Sequence, residues 1–115
     1  MIRYAMFAAS FVVALSGVAA AQDAPPPEAN RLFMLKVAQA VDDRCHLMPP
    51  ETRREFDGRI AQLAETVSAK VGAATVEQMS RAAPARAKAN GTDCDDRTRR
   101  FLEGSFAQSA PPPAH

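Results

Sequence analysis

The chain has 115 residues, with 14 Lys and Arg against 13 Asp and Glu, two cysteines, two histidines and no tryptophan. That length supports one domain, and a near-neutral balance with no basic stripe argues against nucleic acid or an anionic membrane surface as a partner.

Residues 1–21 (MIRYAMFAASFVVALSGVAAA) place Arg3 ahead of a short apolar run and finish in small residues. This is the layout of a secretory signal peptide, with cleavage expected between Ala21 and Gln22. The run falls short of the ~20 residues that span a bilayer, so no stable membrane anchor is expected after cleavage. Loss of Arg3 leaves equal numbers of acidic and basic side chains. The Ala- and Arg-rich composition behind such a signal looks bacterial, which places the chain in the periplasm or outside the cell.

Residues 22–28 (QDAPPPE) and 108–115 (QSAPPPAH) are proline-rich and are expected to be an extended, disordered leader and tail, because three successive prolines offer no backbone donors. Residues 29–107 between them form the helical domain.

From Ala29 the apolar residues Met34, Val37, Val41, Cys45 and Met48 recur at helical spacing, with Phe33 and Ala40 widening the stripe. Pro49 biases Met48 out of the α region, so the first helix is expected to run that far. Pro50 and Glu51 suit the start of a second helix, whose stripe is Phe56, Ile60, Leu63, Val67 and Val71 and whose end is marked by Lys70 and Gly72. Gly58 inside it suggests a close helix crossing. Thr75 and Gln78 have capping-box spacing and open a third helix with Val76, Met79, Ala82 and Ala83 inward. Pro84 is expected to kink or divide that helix, and the alanine-rich stretch after it to be weakly anchored. Thr92 or Asp93 is the expected cap of a fourth helix with Cys94 in its first turn, sharing a face with Phe101 and Leu102, and with Phe106 closing the core. The fold class is therefore all-α, a bundle of three or four short helices.

Two cysteines in an exported chain this small, with no CxxC, are read as one structural disulfide, Cys45 to Cys94. On the chain-entropy model, closing a loop of about 50 residues contributes about 4 kcal/mol.

Chemistry-bearing groups are sparse. Cys45 and His46 are sequence neighbours that do not face each other on a helix, so adjacency lends no support to a nucleophilic pair. Cys45, His46, Cys94 and His115 have zinc-ligand chemistry without the paired spacings, and Met34, Met48 and Met79 are too scattered for a copper site. Asp93, Asp95 and Asp96 lack the glycine and distal glutamate of an EF-hand loop and suit a helix N-terminus followed by Arg97, Arg99 and Arg100. Those arginines, with Arg53 and Arg54, are interleaved with acids and read as a solvated mixed-charge face. Asp42 and Asp43 are expected to be solvated. No catalytic residue, cofactor or metal site is assigned.

The order of signal peptide, first-helix cysteine Cys45, two intervening helices and last-helix cysteine Cys94 resembles that of the periplasmic acid-stress chaperones of the HdeA type. Three functional readings follow. The first is a non-catalytic periplasmic protein with a structural or binding role and a protein partner. The second is a conditional chaperone whose bundle loosens when low pH neutralises its carboxylates. The third is a metal carrier or enzyme built around His46.

Overall fold

A computed structural model describes residues 26–89 and 93–111. The expected signal segment with its Ala21/Gln22 junction, most of the leader, Thr92 and His115 lie outside those residues. The described chain is all-helical: α1 (Pro27–Cys45), α2 (Pro50–Val71), α3 (Ala73–Ala89) and α4 (Asp96–Gln108), with no strand among the described residues.

α1 is the axis of the bundle, with α2, α3 and α4 all packed against it. Its buried residues are Ala29, Leu32, Leu35, Val37, Ala38, Val41 and Asp42. Residues two apart on a helix point to nearly opposite sides, so burying both Leu35 and Val37 requires neighbours on both. A single stripe therefore does not describe α1. Met34, expected inward, is 40% exposed, while Leu32 and Leu35 are core.

Pro26 and Pro27 start α1, two residues earlier than expected, since proline is tolerated at the first helical position, where its missing N–H has no partner to lose. The helix ends at Cys45 rather than Met48. His46 adopts a left-handed conformation (φ 51°) as the C-cap, and the Asp42 carboxylate accepts the N–H groups of Leu47 (2.8 Å) and Met48 (2.9 Å). Those side-chain bonds take the two donors that a further helical turn would use.

α2 follows its sequence pattern, burying Phe56, Ile60 and Val67 with Leu63 and Val71 partly covered. Gly58 is not at a helix crossing: a Cβ there would meet nothing within 4 Å. Gly72 alone separates α2 from α3, and its φ of 96° lies where only glycine sits without strain.

α3 begins at Ala73, placing Thr75 in the first turn rather than at the cap, and it runs through Pro84 without division. Pro84 is exposed, so its ring and the carbonyl it leaves without a donor face solvent rather than the core. Ala83 and Ala87 flank it and are buried, whereas Ala82 faces out. The alanine-rich stretch is thus anchored, because small side chains let α3 come close to α1.

Cys94 precedes α4 instead of lying in its first turn. It has a φ of 54°, and the cap is Asp95, whose carboxylate accepts the Thr98 N–H at 3.1 Å. Leu102 is buried and Phe106 packs on Phe56 with ring centroids 6.3 Å apart, but Phe101 is 39% exposed. The Cys45–Cys94 disulfide, with Cα atoms 5.3 Å apart, joins the last residue of α1 to the approach to α4. The expected tail begins inside the fold: Gln108 is helical and Ser109 is buried.

The two α2-associated glycines are expected to respond oppositely to alanine. Gly72→Ala should destabilise by about 1–3 kcal/mol through its positive φ, and exposed Gly58→Ala should stabilise by about 0.5–1 kcal/mol. Urea denaturation followed by circular dichroism measures both.

Candidate functional site

Two constellations stand out: a charged hub that holds α1 against α2, and a pair of apolar clefts beside α4.

The hub centres on Arg53, in the first turn of α2. Its guanidinium donates to Asp42 Oδ2 (3.0 Å), Asp43 Oδ1 (2.7 Å) and Asp57 Oδ1 (2.7 Å), and Gln39 Nε2 donates to the same Asp57 oxygen at 2.9 Å. Burial works against the Arg53 charge, but the hydrogen bonds to Asp57, Asp43 and Asp42 outweigh it and hold the guanidinium above its usual pKa. Asp42 is only 2% exposed, so the expectation that both members of the Asp42–Asp43 pair are solvated fails for Asp42. Adjacent helix positions point about 100° apart, which buries one and exposes the other. Asp43 and Gln39 also line a cavity of about 120 Å³ between α1 and α3, but every carboxylate in the hub is engaged by Arg53. Its role is positional.

Outside the hub, two carboxylates are held below their usual range. A hydrogen bond from Lys70 is the main reason the Glu28 carboxyl lies below its usual range, with burial opposing. For Asp95 the main cause is the Thr98 N–H, again against burial. A depressed folded-state pKa means stability that is present above the ordinary carboxylate value of about 4 and lost as pH falls through the folded value.

The clefts open on either side of α4. One, of about 270 Å³, has Leu47, Met48, Leu102 and Phe106 as its apolar walls and Arg99 and Glu103 at its edge. The other, of about 330 Å³, lies between α1 and α4, with Met34, Leu35 and Phe101 as its apolar groups and Arg100 and Gln108 at its rim. Met34 and Phe101 are the large apolar side chains that the described surface leaves most open. Both were expected inside the core. The signal that could have found them is the surplus of apolar residues on α1 and α4 over what single stripes accommodate.

The structure separates the remaining candidates. Cys45 and Cys94 are joined to each other, so neither is a thiolate ligand or nucleophile. His46 is an exposed helix cap. Met34, Met48 and Met79 belong to the margins of the core and the cleft walls. Asp95 and Asp96 are used in the α4 cap and an ion pair with Arg99 at 2.9 Å, and among the described residues no group of three His, Cys, Asp or Glu side chains is placed to hold a metal. No helix among them is long and apolar enough to cross a membrane. No family model, curated protein or solved structure matches the chain.

Truncating Asp42 removes the buried one of three Arg53 acceptors and leaves the N–H groups of Leu47 and Met48 without theirs. Asp42→Ala is expected to cost about 3–5 kcal/mol, as for one partner of a buried pair, while exposed Asp43→Ala costs under about 1 kcal/mol. Equilibrium denaturation of the two variants checks the contrast, and equal effects would remove the hub from its central place.

Proposed function

We propose that this is an exported, non-catalytic helical protein that binds apolar side chains of another protein in the clefts beside α4. The observation that carries the reading is the exposure of Met34 and Phe101 on the same cleft, 40% and 39% respectively, in a domain small enough to need its apolar residues for its core. Methionine and phenylalanine suit adaptable apolar contact, the first through its flexible thioether and the second through its area. Arg100 at the rim favours a partner segment with an acidic residue next to its apolar anchor.

Export is supported by the pattern of residues 1–21 and by a disulfide, which persists in oxidising compartments. The absence of catalysis is supported by the chemistry of the described residues: their single histidine is an exposed cap, and both cysteines are spent in the staple.

A second reading, an acid-activated chaperone, is favoured by the hub. Arg53 of α2 reaches α1 through the carboxylates of Asp42 and Asp43, and Gln39 of α1 adds a contact to Asp57 of α2. Loss of the Arg53 contacts to α1 would loosen α2 and uncover Phe56, Ile60 and Val67. The resemblance of the cysteine layout to HdeA-type chaperones points the same way.

Intact mass of the protein from its native compartment, before and after reduction and alkylation, tests export. The expected species begins at Gln22 and accepts label at both cysteines only after reduction; retention of residues 1–21 would reject it. Light scattering from a reduced, aggregating client protein tests the binding. Suppression at neutral pH that is lost in the Met34→Ser/Phe101→Ser variant supports preformed clefts. Suppression that appears only on acidification selects the chaperone reading, and none under either condition overturns both.

A further inference from the structure

A further cavity, of about 150 Å³, lies where the start of α1, the middle of α2 and the segment after α4 meet, and it shares no wall residue with the α4 clefts. Arg31 and Arg59 both line it, together with the polar side chains of Gln62 and Thr66 and the apolar ones of Leu63 and Pro111. No carboxylate is among its walls.

The two arginines differ in how far they are already committed. Arg59 is fixed: its guanidinium lies 4.5 Å from the centre of the Phe106 ring, pairs with Glu55, and donates at 3.3 Å to both Phe106 O and Ser109 Oγ. Ser109 Oγ in turn donates to Phe106 O at 2.6 Å, so this wall is held rigid from α2 and from the end of α4. Arg31 is the opposite case. Its Nε is buried and has no hydrogen-bond partner among the described residues. Glu28 is near enough for Arg31 to act on its charge, but both Glu28 oxygens accept from Lys70 Nζ at 2.9 Å. A buried guanidinium N–H without an acceptor is costly and rare in a native fold, and Arg31, unlike Arg59, lines the cavity with no ion pair among the described residues.

We propose that this cavity binds a small organic carboxylate, with the carboxylate on the guanidinium groups of Arg31 and Arg59 and a short apolar body against Leu63 and Pro111. The planar guanidinium fork matches a carboxylate in two parallel hydrogen bonds, and a wall that carries two arginines, of which only Arg59 is already paired with an acid, favours an anion over a neutral ligand. The apolar wall separates this ligand from an inorganic oxyanion, which has nothing to place there. The size limits the body to a few carbon atoms.

Titration of the full chain with butyrate, followed by ¹H–¹⁵N NMR, tests the site, with acetate and inorganic phosphate as comparison probes. Saturable shifts at the Arg31 Nε–H and the Gln62, Thr66 and Ser109 amides are expected, tighter for butyrate than for either comparison probe. Arg31→Gln should weaken butyrate binding about tenfold, the loss of one charge-assisted contact. Arg31→Lys, which keeps the charge but not the fork, should bind more weakly than wild type yet measurably, and it serves if Arg31→Gln does not fold. The Met34→Ser/Phe101→Ser variant should bind butyrate as wild type does, which separates this site from the α4 clefts. Shifts that do not saturate, phosphate bound as tightly as butyrate, or affinity unchanged in both Arg31 variants would each overturn the assignment.

Discussion

The bundle depends on the contact between Asp42 and Arg53. Asp42 lies in the last turn of α1, and its two oxygens face different tasks: one accepts the N–H groups of Leu47 and Met48, the other the Arg53 guanidinium. The same carboxylate therefore stops α1, shapes the link after it and fixes the start of α2. Cys45 and His46 sit inside that arrangement, so the disulfide that brings in α4 inherits its position from it. A buried ion pair is weak evidence for net stability, because desolvation offsets much of the attraction. What it contributes is geometry: few other arrangements would satisfy three donors at once.

Around that fixed corner the rest of the packing follows from α1 being surrounded. α3 approaches through alanines, Ala83 and Ala87, which leaves room for Phe33 to lie under Arg86 at 5.6 Å. α2 supplies the bulky side chains, Phe56, Ile60 and Val67. α4 is narrower in its contribution, burying Leu102 and partly Phe106, and the surfaces it leaves uncovered on either side are the clefts. Site and fold are thus connected: a short fourth helix on a three-sided core cannot cover all the apolar surface that α1 and the link present.

How much of this was legible depended on how many sides each helix buries. α2 buries one face, and its spacing of Phe56, Ile60, Leu63, Val67 and Val71 is found in the structure as expected. α1 buries several, so the expected stripe holds at Val37 and Val41 but includes Met34, which stays open, and passes over Leu32 and Leu35. The helix ends were misplaced for a related reason. Pro49 and Pro84 are visible in sequence, but the carboxylate of Asp42 ends α1 before proline can act, and α3 absorbs Pro84 on its exposed side. Asp95 caps α4 in place of Thr92 or Asp93 because its carboxylate reaches the Thr98 N–H, a choice between neighbouring acids that depends on local backbone geometry. The cysteine pairing was readable because two cysteines admit one intramolecular connection. The Arg31 and Arg59 cavity had no sequence signal, since its walls come from three segments far apart in the chain.

The placement of the disulfide also decides how the domain would carry load. Cys45 ends α1 and Cys94 precedes α4, a separation of 49 residues that holds the whole of α2 and α3. Tension applied from the start of α1 to the end of α4 would pass along α1, cross the sulfur bridge and leave through α4. The ring of chain between the cysteines would bear none of it, and roughly 160–175 Å of potential extension, at about 3.3–3.6 Å per residue, would stay locked away until the bridge is reduced. The domain is in this sense two helices in series with a shielded pair in parallel, and its extensibility is set by the redox state of its surroundings.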